Sequence, residues 1–285
     1  MKPDIQSERK KITPDIFSIV LFIIFCVAYF PVMQKLVIAW SSTDEYSHGF
    51  LILPISLYIA WNKLGTLKAV PKNPSWVGLV IIICSLLLYI ISSFAEIVTV
   101  TSFSMITVIM GFVIYFYGLN MFKALIFPLF FLFFMIPIPA QIFSILTIPL
   151  QLFVSKVSVY TASMFGLPIF REGNVIHLPE KTLQVVQACS GLRSLISLVT
   201  LSTFWGYLSL NSNLLRGLLI VCAIPAAIII NVVRVFLMII SFYYFNIDLT
   251  KDSVHTWLGI LIFALALALI YIVQGVLSRW DKPGT

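Results

Sequence analysis

Seven mainly apolar stretches follow one another along the chain, at 16–36, 76–94, 97–118, 121–138, 190–210, 217–243 and 256–277, and an eighth, 49–62, is shorter and begins at His48-Gly49. An α-helix needs roughly 20 apolar residues to cross the hydrocarbon core of a bilayer. This pattern predicts an all-α polytopic membrane protein with about eight transmembrane helices. Hydrophobic residues make up 60% of the 285 and charged residues only 10%, against about 25% charged in a soluble domain. A water-soluble enzyme, a disordered protein and a nucleic-acid reader are thereby excluded.

The net charge of +7 reports topology, because Lys and Arg collect on the loops that stay in the cytoplasm. Lys2, Arg9, Lys10 and Lys11 precede the first span, Lys63, Lys68 and Lys72 follow the second, and Lys123, Arg216, Arg279 and Lys282 complete the set. Eight crossings bring all of them to one side, with both termini cytoplasmic. Asp44, Glu45, Glu96, Glu172, Glu180, Asp248 and Asp252 then fall on the other side. The run from Ile16 to about Met33 exceeds the ~7–15-residue core of a cleavable signal peptide and is expected to be a retained span.

Segment 142–165 repeats Ser144, Thr147, Gln151, Ser155, Ser158 and Ala162 at helical spacing beside Lys156. It is expected to form an amphipathic helix lying in the interface; a ninth crossing there would invert everything after it. Within 166–188, Glu172-Gly173-Asn174 reads as a turn, with β-like runs at 175–178 and 183–186 that predict a small extracytoplasmic hairpin. The whole is expected to be one integral membrane domain over 1–285. It comprises a basic cytoplasmic N-terminus (1–15), five spans (16–138), an extracytoplasmic and interfacial segment (139–188), three spans (189–277) and a cytoplasmic tail (278–285).

Ionisable residues inside spans are costly and so are functional candidates. Arg234, in NVVRVF, lies about 27 Å along its span from Arg216 at the helical rise, close to the outer interface. Asn231 shares its face, and snorkelling to headgroups is the competing role for the arginine. Cys189 opens the string CSGLRSLISLV at the expected start of a helix, where the dipole and free N–H groups lower a thiol pKa. Arg193 follows at i+4 and is placed to favour the thiolate or to bind a substrate oxygen. His255, in DSVHTWLG, starts the last span on the same side. His48 and Tyr46, in TDEYSHG, sit at the mouth of the second span, where they line a substrate entrance, orient a catalytic group or simply anchor the interface. His177 is read as structural. Cys26, Cys84 and Cys222 are read as small buried hydrophobes. The cysteines lack CxxC spacing, so neither a zinc site nor a disulfide framework follows. No cofactor is expected.

The strings ACSGLRSL (188–195), NVVRV (231–235), VHTWLG (254–259) and DEYSHGFL (44–51) together resemble the exosortase/archaeosortase family of integral membrane cysteine transpeptidases, over about residues 40–265. The resemblance implies a bacterial inner-membrane enzyme with its site at the extracytoplasmic face. Its partners would be membrane lipid and secreted client proteins that end in a short motif such as Pro-Glu-Pro, a transmembrane helix and a basic tail. It implies Cys189 as nucleophile and thioester carrier, Arg234 as charge partner or proton donor, and His255 as acid-base or transition-state-stabilising group; Arg193, His48, Asn231 and Tyr46, by their positions beside these groups, are expected to bind substrate, and the acceptor amine is left open. Archaeal relatives carry Arg at the position of His255. The rival readings are a transporter or channel that uses Arg234 to bind an anion, another membrane enzyme, and an export-apparatus scaffold. No inverted repeat, GxSxG or HExxH supports the first two.

Overall fold

The computed structural model describes residues 16–43, 45–179, 181–185, 192–247, 249 and 252–281, without the side chains of 17, 18, 252, 253 and 255. Cys189 lies outside the described residues, and so does the side chain of His255. The helices are α1 (Ile16–Ser42), α2 (Gly49–Asn62), α3 (Leu64–Ala69), α4 (Trp76–Phe94), α5 (Val98–Tyr117), α6 (Leu119–Ala124), α7 (Ile126–Phe131) with a 3-10 turn at Leu132–Met135, α8 (Ala140–Met164), α9 (Leu192–Ser209), α10 (Asn213–Phe245) and α11 (Asp252–Trp280). Six of them, α1, α4, α5, α8, α10 and α11, are long and apolar enough to cross a membrane. Pro31, Pro54, Pro149 and Pro225 lie inside helices, which membrane helices tolerate when neighbours satisfy the freed backbone groups.

Contacts between distant residues identify the two ends of the bundle. At one end the Arg193 guanidinium at the start of α9 meets Glu45 at 3.4 Å. Near it Tyr46 Oη donates to Ile138 O (3.3 Å) and Thr99 Oγ1 donates to Pro137 O (2.7 Å). At the other end Lys63 Nζ donates to Ala124 O (3.0 Å), and Lys63 and Arg216 both lie over the Tyr207 ring. The Asp281 carboxylate accepts from Ser212 N at 3.1 Å there and closes α11 onto the start of α10. Helix α9 thus runs from the Glu45 end to the Lys63 end, although its Ser, Thr and Arg residues keep it out of the six most apolar helices. Short α2 runs from the Glu45 end to the Lys63 end and the broken α6–α7 segment runs back from Ala124 to Ile138, the two tied by Ser56 Oγ donating to Pro128 O (2.7 Å). About eight crossing segments result.

Helix α8 departs from the sequence expectation in one respect. Its polar stripe does not face water: Thr147, Gln151, Ser155 and Ser158 are buried, while Ile142, Ile145, Ile148, Phe153 and Tyr160 are exposed. The polar groups meet protein instead, with Ser158 Oγ donating to Val232 O (3.2 Å), Ser155 Oγ to Gly173 O (3.4 Å) and Asn174 Nδ2 to Gln151 Oε1 (3.4 Å). Burying hydroxyls and amides against carbonyls and leaving apolar side chains outward is the arrangement a lipid-exposed surface requires. Both ends of α8 nevertheless lie at the Glu45 end of the bundle. It starts two residues after Ile138, and Phe165 just past it packs on Phe236, ring centroids 5.7 Å apart. Phe236 lies about 30 Å along α10 from Arg216 by the helical rise.

The segment after α8 forms three strands rather than a two-stranded hairpin. β1 (Phe170–Glu172), β2 (Val175–His177) and β3 (Thr182–Gln184) pair antiparallel in that order. Alternation turns Ile176, Leu178, Leu183 and Val185 inward onto Val154 and Ala162 of α8 and Val235, Met238 and Ile239 of α10. Phe170 stacks on His177, whose Nε2 is 3.6 Å from Glu172. Cys26 and Cys84 are exposed and Cys222 is half-buried. The expectation of three buried thiols fails because a bundle in lipid points apolar residues outward as well as inward.

Candidate active site

The 45–48 turn is held from three directions. Gly49 N bonds to Tyr46 O (2.8 Å) and Leu51 N to His48 O (2.9 Å), which feeds the turn into α2. Trp40 Nε1 donates to Met135 O at 2.9 Å, and Gly49 packs under the Trp40 indole so closely that any Cβ there would overlap the ring. Glycine after His48 is therefore a packing requirement. The Tyr46 hydroxyl is spent on Ile138 O, and burial pushes its pKa up against the smaller opposing effect of that bond.

His48 Nε2 lies 3.2 Å from Phe134 O. Burial is the largest influence on the ring and lowers its pKa, while the carbonyls of Phe134 and Glu45 partly oppose it. The imidazole is held neutral near pH 7. In that form Nε2–H donates to Phe134 O, so His48 is tied to the broken α7 segment by a hydrogen bond.

Arg193 and Glu45 connect this turn to α9. The arginine side chain is 47% exposed and the glutamate 24%, so screening keeps the ion pair weak as a source of stability. Its consequence is positional: it holds the 45–48 turn against the first turn of α9, with Arg193 two residues after the undescribed 186–191. Below it, Ser47, His48 and Ile52 face Ser197, Thr200 and Phe263 across a cleft of about 290 Å³ between α2, α9 and α11.

Arg234 sits on α10 with its guanidinium against α11. A Cβ built on Gly259 would lie 3.4 Å from Nη2 and 3.9 Å from Cζ of Arg234. Gly259 is one helical turn beyond His255, on the same face of α11. Asn231, one turn before Arg234, is only 3% exposed. Its burial places it within the packing of α10, on the face it shares with Arg234.

The structure thus brings Tyr46, His48 and Arg193 together around Glu45, and it seats Arg234 on the helix that carries His255. Glu45, Gly259, Ser197 and Thr200 escaped the sequence reading as site residues. Spacing carried a signal for two of them: Ser197 repeats the Arg193 face of α9 at i+4, and Gly259 repeats the His255 face of α11. Among the described residues, no group of three His, Cys, Asp or Glu side chains is placed to hold a metal ion.

In comparison with known families, the sequence pattern described as transmembrane exosortase matches residues 40–272. No curated protein and no solved structure matches the chain. The matched range contains all four strings of the resemblance, the cleft and the Arg234–Gly259 contact.

Proposed function

The chain belongs to the transmembrane exosortase family, and from that premise we propose that it cuts the C-terminal sorting signal from secreted client proteins by a cysteine-thioester mechanism. Family membership supports the processing of sorting signals in general; the assignment of residues to steps is our reading. Cys189, as thiolate, attacks the carbonyl carbon of the scissile bond, and the carbonyl electron pair moves onto oxygen. Collapse of the tetrahedral intermediate breaks the C–N bond, and the departing amine takes a proton. An acceptor amine or water then attacks the thioester and returns the thiolate.

His255 is the natural donor and acceptor of that proton, because an imidazole titrates near neutrality. Arg234 keeps its charge throughout, since a guanidinium does not deprotonate in proteins, and it serves the developing oxyanion or the thiolate. One observation carries this reading. The Arg234 guanidinium is seated on α11 one turn from His255, which is where two elements must meet if an arginine and a histidine are to act on one carbonyl. The basic residues Lys63, Lys72 and Arg216 at the opposite end of the bundle support an extracytoplasmic site, because positive loops stay inside. A site near the membrane surface suits a client that remains anchored by a terminal helix and reaches the enzyme by lateral diffusion.

The test is coexpression of a tail-bearing client, tagged before and after its terminal helix, with the wild-type enzyme or with Cys189→Ala. Loss of the tail only with intact Cys189 is expected. Equal processing by a Cys189→Ala protein of normal abundance would overturn the thiol mechanism.

A further inference from the structure

Helices α4 and α5 pack against each other along their length, and α1 lies against α5. A groove of about 310 Å³ is left between α1 and α4, with Leu21 and Ala28 on one side, Leu79 and Leu86 on the other, and Val108 and Phe112 of α5 between them. A bridge from α4 to α1 crosses it at depth, where Tyr89 Oη donates to Ala28 O at 2.9 Å and the Tyr29 and Tyr89 ring centroids are 4.8 Å apart. Toward the Lys63 end of the bundle the groove meets a second recess of about 320 Å³. That recess shares Tyr115 and Phe116 with it and adds Pro74, Ser75 and Trp76.

Depth, width and charge together select the occupant. Trp76, 75% exposed, meets Tyr115 edge-on at 6.2 Å between centroids, the pairing expected of an interfacial aromatic belt. From Trp76 to Leu86 the helical rise gives about 15 Å, half of a hydrocarbon core about 30 Å thick. The groove thus runs from one interface to the middle of the bilayer. Spread over that length, its volume gives a section of roughly 20 Å², several times less than a helix about 10–12 Å across requires. At the mouth, Lys72 lies two residues before Pro74, with its amine 5.1 Å from the Tyr117 ring centroid and no carboxylate beside it among the described residues. Asp281, at the same end of the bundle, is taken by Ser212 N. Ser75 Oγ accepts from Val77 N at 3.4 Å, which leaves its own O–H to donate.

We propose that the groove seats one anionic glycerophospholipid from the leaflet at the Lys63 end, with an acyl chain between α1 and α4 and the phosphate at the recess beside Lys72 and Ser75. The chain is apolar, one chain wide and one leaflet long, and its methyl end stops at the Tyr29–Tyr89 bridge. The positive charge at the mouth favours an anionic headgroup over a zwitterionic one. By the placement of the lysines this is the cytoplasmic leaflet. The seated chain completes the packing of α1 against α4, at the opposite end of the bundle from the Arg193–Glu45 pair, and the proposal stands apart from the thiol mechanism.

The experiment uses the full chain in mild detergent with phosphatidylglycerol that carries a photoreactive diazirine midway along one chain, or with phosphatidylcholine of the same chains. After irradiation, label from phosphatidylglycerol is expected on segments 21–29 and 79–86, with one lipid retained per protein in native mass spectrometry and severalfold less phosphatidylcholine. Lys72→Gln, at an exposed position that the fold does not need, is expected to lower phosphatidylglycerol retention by about fivefold, the effect of removing one basic residue at a membrane surface. Ala28→Trp fills the groove near its closed end and is expected to abolish label on 79–86 while leaving Lys72 in place. Label spread evenly over the exposed faces of α8 and α11 would overturn the proposal. So would equal retention of the two lipids by the wild-type protein, retention unchanged in Lys72→Gln, or label on 79–86 unchanged in Ala28→Trp.

Discussion

The guanidinium of Arg234 lies on the bare backbone of Gly259, with Nη2 3.4 Å from the place a Cβ would occupy. The glycine of VHTWLG therefore sets how deeply the arginine can settle between α10 and α11. Its neighbour at i−4 is His255, so one small residue governs the spacing between the two proposed partners of Cys189.

Gly259→Ala separates the helix from the site. Alanine favours a helix interior over glycine by about 0.5–1 kcal/mol, so local propensity predicts equal or greater abundance. The added methyl would meet the far end of a flexible side chain at 3.4 Å, the short edge of ordinary van der Waals contact, and would fill the space into which the guanidinium could otherwise settle. Client cleavage is expected to fall a few-fold, well short of the roughly hundredfold that a 1 Å misplacement can cost. Unchanged cleavage at equal abundance, read by immunoblot, would show that the arginine's depth does not matter to the reaction.

Much of this architecture was legible in the chain because bilayer crossing imposes a length and a composition that few sequences meet by chance. Arg234 stood out because a charge inside an apolar run is costly, Arg193 by its i+4 spacing from Cys189, and His48 by its place at the mouth of a short span. Two features were hidden by the same physics. In α8 the period of Ser and Thr was read correctly as a stripe, but periodicity does not say whether a stripe faces water or a neighbouring helix, and here it faces α10 and the sheet. Thr200 was invisible because a threonine in a helix normally bonds its own backbone; only coordinates reveal one that does not. Glu45 was legible as an outer acid but not as the partner of Arg193, 148 positions away.

The Glu45–Arg193 pair offers a charge-exchange test. Either single reversal, Glu45→Arg or Arg193→Glu, is expected to lower client cleavage severalfold by releasing the 45–48 turn from α9. The double exchange should recover most of it. Thermal stability should barely change, because an ion pair this exposed contributes about 0–1 kcal/mol. If the double exchange is no better than the singles in the cleavage assay, Arg193 acts on substrate directly, as the sequence suggested, and not through the turn.

His48 predicts a sign for pH. Its pKa in the folded protein is lowered, chiefly by burial, so the unfolded chain binds more protons over the window between the folded value and the ordinary value near 6.5. Stability rises with pH wherever the unfolded state holds the extra proton. The His48 contribution is thus fully present above about pH 6.5 and is lost as pH falls toward the folded value. His48→Gln, which keeps a donor for Phe134 O, should flatten the decline in melting temperature of detergent-solubilised protein between about pH 7.5 and pH 5.5. An identical decline in both proteins would remove His48 as its source.

Helix α8 provides the sharpest topological prediction. It has 25 residues, about 37 Å at the helical rise, and its hydropathy alone would make it a crossing helix. Yet its first residue lies two after Ile138, the acceptor for Tyr46, and its last turn leads to the Phe165–Phe236 contact at the same end of the bundle. Gln141→Cys and Ser163→Cys, both at exposed positions, should therefore react with a membrane-impermeant maleimide from the side that labels Glu96→Cys. Lys68→Cys should react only from the other side. Labelling of 141 and 163 from opposite sides would make α8 a crossing helix, with an odd number of crossings. The contacts forbid that arrangement, because Arg193 could not then stand beside Glu45 while Tyr207 stands beside Lys63.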